Sequence, residues 1–355
     1  MNKEPDLKTR EELINIFNSK RFSELIKKIL NLQKNYPQSL FLLNLIGNTN
    51  NELENYNEAI INFKNIIKIN SNFADAYYNL GIIYKKINLI DKSIDNYYKC
   101  IKINSKKYEA YNNLGNIFKD KLEIESAIKN YLYCLEINPD YKIALQNLGV
   151  CLQNFKFTKS SSVTEKHIIN LLEQNKILRP VDIVKSLINY LYLDKKFNSI
   201  IENYKINYSL DRLLDEFLNF KILIKFLEIT PITDIKIENI LRYLRYKILL
   251  NITEIKNKNI ASKVMGVIAS QCYINEYVYP VKKKEEKVIN KIEQKINNKK
   301  DNKFKNIILE ISCLAAYKPL ESFDWSNKIK DNKEISNLIK QQILNPNKER
   351  DIKKK

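Results

Sequence analysis

Four of the chain's five glycines stand at Gly47, Gly81, Gly115 and Gly149, each thirty-four positions after the last. Glycines this scarce do not recur at one interval by chance, and self-similarity at such a period marks stacked supersecondary units. Alignment on the glycines gives units 40–73, 74–107, 108–141 and 142–175. The second and third agree closely: ADAYYNLGIIYKK against YEAYNNLGNIFKD, then KSIDNYYKCIKIN against SAIKNYLYCLEIN. Each unit reads as two helices. In the third, Tyr111, Leu114, Gly115 and Phe118 fall at i, i+3, i+4 and i+7, one apolar stripe of a first helix, A. Ala127, Tyr131 and Cys134 continue the spacing in a second, B, and Asn138-Pro139 stops it. A glycine inside a helix costs about 1 kcal/mol relative to alanine. Its recurrence therefore predicts a close approach by the facing helix, with the small residues Ala59, Ser93 and Ala127 serving the same contact from helix B.

Composition narrows the alternatives. Five Gly and eight Pro in 355 residues argue against Gly-rich loops, turn-dense sandwiches and disordered linkers, and favour helices joined by short polar turns. A 44% hydrophobic fraction with 22 Tyr can fill a sizeable core. The polar start, MNKEPDLKTR, has no apolar stretch behind it that would serve as a signal peptide. The most apolar later stretch, residues 306–317, is too short to span a bilayer and contains Glu310. Five Cys without a CxxC pair fit a reducing compartment. These features predict a soluble, cytoplasmic protein with no membrane partner.

The repeat resembles the tetratricopeptide repeat. The residues that carry the resemblance are Tyr77, Leu80-Gly81, Tyr84, Ser93, Tyr97 and Cys100 in one unit. In the next they are Tyr111, Leu114-Gly115, Phe118, Ala127, Tyr131, Cys134 and Pro139. Unit 40–73 matches more weakly, through Leu43, Ile46-Gly47, Ala59 and Phe63. Upstream, residues 21–37 look like a lone helix B ending at Pro37, a half repeat within 6–39. Downstream, unit 142–175 keeps helix A and loses the pattern after Phe157. The expectation is an all-α fold: a solenoid over 1–156, an irregular α-helical domain over 157–350 and a basic tail at 351–355. Cys100 and Cys134 occupy a place the family fills with alanine, which predicts core packing rather than redox or metal chemistry.

The resemblance implies a function. Stacked repeats curve, and their A helices line the concave face. Asn79, Asn113 and Asn147 recur two residues before the glycine, a position that faces the groove in the family. Similar repeats in O-linked GlcNAc transferases carry an asparagine ladder there that grips the backbone of an extended peptide. An amide offers both donor and acceptor, which suits a peptide bond whatever the side chains. The first unit has Leu45 at that place, so the ladder has three rungs. The competing reading is that Asn is abundant in this chain and tolerated on an exposed helix turn.

From 163 onward the pattern stays helical without repeating. Candidate helices are 163–176, 181–192, 209–228, 236–250, 257–279, 283–297, 303–317 and 331–344, divided by Arg179-Pro180, Thr230-Pro231 and Pro280. The segments SQCYINEYVYPVKKKEE (270–286), CLAAYKPLESF (313–323) and QQILNPNKER (341–350) resemble the helical connector of bacterial proteins that place tetratricopeptide repeats before an S-adenosylmethionine-dependent methyltransferase domain. In those proteins catalysis begins just after the stretch matching 341–350, whereas this sequence stops at Lys355. It also lacks the strand and Gly-rich turn that such a cofactor requires, since after the repeats only Gly266 remains.

No catalytic residue, cofactor site or metal site is therefore predicted. The single His167 rules out His-pair metal sites, and a lone histidine of this kind reads as a surface or boundary residue. Glu276 has no visible partner for acid–base work and reads as a structural hydrogen-bonding group. Trp325 reads as a packing residue. Charge is uneven: residues 1–156 carry 22 basic and 17 acidic side chains, +5 of the net +19, and the remainder holds +14. The lysines are interspersed with Asp, Glu and Asn and show no aromatic–basic interleaving with Arg, which weighs against nucleic acid and for a solvated face. The leading expectation is a monomeric protein-interaction scaffold holding an extended peptide. The alternative is the substrate-recruiting front portion of a truncated or split methyltransferase.

Overall fold

The computed structural model describes residues 3–174, 179–277, 279–298, 304–333 and 335–346, and these contain helices and turns but no strand. The chain divides into two compact units, Met1–Cys151 and Leu152–Lys355.

The first unit is a stack of helix pairs: α1 (Leu7–Asn18) with α2 (Phe22–Gln33), α3 (Leu40–Glu52) with α4 (Tyr56–Ile69), α5 (Ala74–Lys86) with α6 (Ile90–Ile103), and α7 (Tyr108–Asp120) with α8 (Ile124–Ile137). A last A helix follows, α9 (Lys142–Leu152). The glycines act as the sequence predicted. A Cβ built on Gly47 would lie 2.8 Å from the Phe63 ring, one on Gly81 2.6 Å from Tyr97, and one on Gly115 2.5 Å from Tyr131. In these three pairs helix B thus lays an aromatic ring directly on the backbone of its helix A. Ala59, Ser93 and Ala127 are fully buried beside these contacts, and Ser93 Oγ donates to the Gly81 carbonyl at 2.6 Å.

The A-to-B turn is equally periodic and was not legible in the sequence. Lys20, Glu54, Asn88 and Leu122, spaced by the same repeat length, all adopt left-handed backbone with φ between 56° and 63°. In each case the next N–H donates five residues back: Arg21 to Ile16, Asn55 to Asn50, Leu89 to Tyr84 and Glu123 to Phe118. This is the Schellman ending of a helix, normally closed by glycine. Here four different residues meet the geometry, so composition carries no trace of it. Helix B ends at Asn70, Asn104 and Asn138, which leave the helix in extended or near-extended backbone. Asn70 and Asn104 each accept from the N–H two residues on, turning the chain into the next unit.

Two expectations change. The lone helix B upstream is a complete pair, because α1 occupies the helix A position and shares the left-handed turn at Lys20. It was missed because its contact is built the other way round. Leu13, Leu25 and Ile29 stand where later units have glycine, a small residue and an aromatic ring, and all three are buried. Bulk removed from helix B is restored on helix A. At the other end, α9 stops two residues short of the register. The left-handed residue there is Asn154 rather than Lys156, the position in register with Leu122.

The second unit comprises α10 (Ser162–Glu173), α11 (Val184–Leu191), α12 (Lys195–Asn203), α13 (Leu210–Leu218), α14 (Lys221–Ile229), α15 (Ile235–Leu250), α16 (Lys258–Ile274), α17 (Lys283–Asn297), α18 (Ile308–Ala315) and α19 (Ser336–Ile339). Helix α16 is its axis: residues from Ala261 to Cys272 are almost all buried, and α13, α14, α15, α18 and α19 pack around it. The predicted 209–228 helix is two, broken at Asn219-Phe220, and the predicted 257–279 helix ends at Ile274. Helix α12 went unrecognised, since three apolar residues in nine, Phe197, Ile200 and Ile201, barely register as a period.

Buried amides tie this unit together. Gln271 Nε2 donates to the carbonyls of Leu227 (3.1 Å) and Thr230 (3.0 Å), while its Oε1 accepts from Ile232 N–H (2.8 Å). Gln342 does the same further on, donating to Ala269 and Ala315 carbonyls and accepting from Leu320 N–H at 3.0 Å. The segments that carry the connector resemblance therefore meet in one core. Tyr277 hydroxyl donates to Ala315 carbonyl at 3.1 Å, and Tyr317 hydroxyl to Glu285 at 2.6 Å.

Candidate functional site: the seam between successive A helices

Position two before each glycine lies where one A helix meets the next. Asn79 Nδ2 donates back to Asn48 Oδ1 at 3.0 Å and, at 3.4 Å, to Asn44 Oδ1. Asn147 Nδ2 makes the same pair of bonds, to Asn116 at 3.0 Å and Asn112 at 3.4 Å. In both cases the partners stand on the preceding A helix, one turn apart, on either side of the residue exactly one repeat upstream. Asn113 differs because the preceding unit offers Tyr78 and Ile82 instead of two amides. It donates to the hydroxyls of Tyr97 (3.2 Å) and Tyr78 (3.4 Å). Burial pushes the Tyr97 and Tyr78 hydroxyls above the ordinary phenol range, so both remain neutral groups.

All three predicted asparagines are half-buried, and all three spend their donors inside the protein. They do not form one continuous ladder with each other. Their acceptors fare differently. Among the described residues Oδ1 of Asn79 and of Asn113 accepts no hydrogen bond, whereas Oδ1 of Asn147 takes Lys119 Nζ at 3.4 Å. The partners Asn44, Asn48, Asn112 and Asn116 were not singled out in the sequence. Their signal was present, since Asn44/Asn112 and Asn48/Asn116 each recur at twice the repeat length. Ion pairs follow the same seam: Lys85 Nζ lies 3.2 Å from Asp120, and Lys107 Nζ lies 2.9 Å from Asp75 and 4.8 Å above the Tyr78 ring.

Of the remaining candidates, Cys100, Cys134 and Trp325 are packing residues. Cys100 and Cys134 are fully buried at the repeat contact, and burial pushes their thiols up to about 11 and about 12. Trp325 is sandwiched between Phe323 (5.1 Å) and Phe304 (6.0 Å), with Nε1 donating to Asn297. His167, expected at the surface or at a boundary, is 1% exposed within α10. The Glu276 side chain makes no hydrogen bond among the described residues, contrary to the structural role expected of it. It is exposed, in left-handed backbone at φ 51°, and follows the end of α16. Among the described residues no group of three His, Cys, Asp or Glu could hold a metal ion, and no helix is long and apolar enough to cross a membrane.

Comparison with known proteins identifies the repeats. Tetratricopeptide-repeat patterns match residues 47–88, 74–107 and 108–141. Among curated proteins none matches the sequence. Of solved structures, that of MamA is 22% identical and covers 49% of this chain and 97% of its own, with a TM-score of 0.40. PilF of Pseudomonas aeruginosa is 12% identical over 72% of this chain and 91% of its own, at 0.30. The Naa15/Naa10 structure bound to HypK-THB is 12% identical over 94% of this chain and 60% of that one, at 0.35. None reaches 0.5, and the assignment rests on the repeats themselves. Residues 47–141 are tetratricopeptide repeats, a module of protein–protein interaction, and the first unit is the helical solenoid that such repeats build.

Proposed function

We propose that this protein is an interaction scaffold that holds an extended segment of a partner protein along the A-helix face of the solenoid. The observation that carries the reading is the half-committed amide. With Nδ2 fixed across the seam, Asn79 and Asn113 each keep an oriented carbonyl oxygen with no donor among the described residues. An extended peptide presents N–H groups at regular spacing, and a fixed acceptor binds one without losing further side-chain freedom. Asn44, Asn48, Asn112 and Asn116 add amide surface beside them. Such a lining reads backbone in preference to side chains. No catalysis is assigned to the described residues in this reading.

The test uses leucine at the three positions, because the first unit already tolerates Leu45 there. N79L/N113L/N147L in the full chain should retain helicity and lose capture of its partner at least tenfold. A photoreactive side chain at Asn48 or Asn116 should crosslink the captured protein, and one at exposed Tyr98 on α6 should not. Undiminished capture by the triple variant, or crosslinking from Tyr98 alone, would sink the reading.

A second reading follows from the resemblance of 157–350 to methyltransferase connectors. It is favoured by the convergence of 270–286, 313–323 and 342 in one buried core. On that reading the groove recruits the protein to be methylated by a domain beyond Lys355. The coding sequence downstream decides it: a continuing frame with a strand and a Gly-rich turn supports it, and an immediate stop codon removes it.

A further inference from the structure

We propose that the second unit carries a cleft for a nucleoside phosphate, taken either as a free nucleotide or as one residue of a single strand. The cleft lies between α15, the turn after α12 and the start of α17, and encloses about 400 Å³, within the range of small-molecule sites. Besides the buried Arg245, four cations line it: Lys205, Arg242, Lys247 and Lys282. Among the described residues none of the four forms an ion pair with a carboxylate. Elsewhere in the unit lysines find acids, as in Lys295–Glu310 at 2.9 Å and Lys318–Glu293 at 2.6 Å. Glu238, one turn before Arg242 on α15, does not reach it.

The cleft's one acid is already engaged. Glu285 is 2% exposed; its Oε2 accepts from Lys282 N–H at 2.7 Å and its Oε1 from Tyr317 hydroxyl at 2.6 Å. Beside it Arg245, 3% exposed, lies 3.7 Å from Glu285, donates to Pro280 carbonyl at 3.0 Å and sits 4.3 Å over the Tyr317 ring. The Cys272 thiol also lies against this guanidinium. The four unneutralised cations, with the buried guanidinium behind them, form a positive concavity, where low-dielectric walls strengthen attraction for an anion.

The walls are aromatic. Tyr204 and Tyr243 meet edge to face at 5.0 Å, Lys247 lies 5.6 Å over Tyr243, and Lys282 lies 4.7 Å over Tyr246. The rings hold the ammonium groups over the cleft by cation–π attraction and leave flat π surface for a base. A ligand that uses both features carries a multiply charged anion and a planar ring, which is the chemistry of a nucleotide. The sequence reading weighed against nucleic acid and passed over the run Arg242-Tyr243-Leu244-Arg245-Tyr246-Lys247 on α15, where basic and aromatic residues alternate. The fold adds Tyr204-Lys205 and Lys282 to that run.

The test titrates the full-length protein with inorganic phosphate, AMP, ATP and a fluorescein-labelled twelve-nucleotide oligo(U). Saturable binding should fall at least tenfold in R242A/K282A, whose side chains pair with no acid. It should stay within twofold in K283A/K284A, two exposed lysines just outside the cleft. Y246L should weaken AMP and leave phosphate unchanged. Oligo(U) at least tenfold tighter than AMP assigns the single strand, and any smaller preference, or none, assigns the free nucleotide. Absence of saturable binding by every probe overturns the proposal. So does equal loss in the two double variants, or AMP binding no tighter than phosphate.

Discussion

The two units treat the same residue in opposite ways. In the solenoid, glycine is a socket: the rings of Phe63, Tyr97 and Tyr131 rest where a Cβ would be. In the second unit, Gly266 lies mid-way along the buried axis helix α16, and a Cβ there would meet nothing within 4 Å. One glycine type carries close packing, and the other only its cost in helix propensity. Polar groups divide similarly. The solenoid's amides bond one repeat upstream, whereas Gln271 and Gln342 bond carbonyls and N–H groups at unrelated places in the chain. A repeat array is stabilised by copies of a nearest-neighbour contact, and an irregular domain by a few unique ones. Damage should therefore be graded in the first and severe at single points in the second.

The largest effect should come from Gln271→Leu, which strands the Ile232 N–H and two carbonyls in a dry core. A loss of about 3 kcal/mol is expected, since each unsatisfied group costs about 1–3 kcal/mol. Exposed Gln294→Leu on α17 should cost under about 0.5 kcal/mol. Urea denaturation of both variants checks this, and equal midpoints would remove the account of α16 as a polar clamp. Next is Gly115→Ala. Overpacking against Tyr131 costs about 1–3 kcal/mol, partly offset by about 1 kcal/mol of helix propensity. A net loss of about 1 kcal/mol is expected from the difference. Adding Tyr131→Ile should recover part of it, because Leu13 over Ile29 already uses that arrangement in α1 and α2. A double variant less stable than the sum of the singles would break the argument.

At alkaline pH the two units should behave alike. The thiols of Cys100, Cys134 and Cys272 are raised by burial to about 11, about 12 and about 11 from the ordinary 9.0. Because each thiol ionises less readily in the folded state, its pH-dependent contribution is constant below pH 9. Stability falls as pH rises from there toward the folded value. The slope is at most about 1.4 kcal/mol per pH unit per thiol. Denaturation midpoints should fall between pH 9 and 11, and Cys134→Ala should flatten part of that fall. A slope identical to that of the parent would contradict it.

The smallest effects should be gains. Leu122 is 82% exposed and held at φ 63°. That conformation costs a non-glycine residue about 1 kcal/mol. Leu122→Gly should raise stability by up to about 1 kcal/mol. Gly266→Ala should gain up to about 1 kcal/mol from propensity alone. A measured loss at Gly266 would place an unseen neighbour at that site and undo the contrast drawn above.

Where contacts repeat, the chain displays them. Gly81, Tyr97 and Ser93 recur at fixed offsets because each unit solves one steric problem with local residues, so the helix pairs and the close approach at the glycine could be read in order, whereas the ring that fills the socket was found only in the structure. The asparagines at 79, 113 and 147 were legible as a period, but their partners were not, because a seam bond depends on which residue the previous helix presents. The left-handed turns at 20, 54, 88 and 122 left no mark, since backbone geometry was satisfied by Lys, Glu, Asn and Leu alike. The pair α1–α2 was half hidden because volume is conserved across the contact rather than at either position. In the second unit, composition and the helical period established helices and little else. Gln271, Arg245 and the basic cleft join segments far apart in the chain, and no local pattern announces a hydrogen bond between such segments. Periodicity is a property of the chain, but the pairing of distant polar groups exists only once the chain has folded.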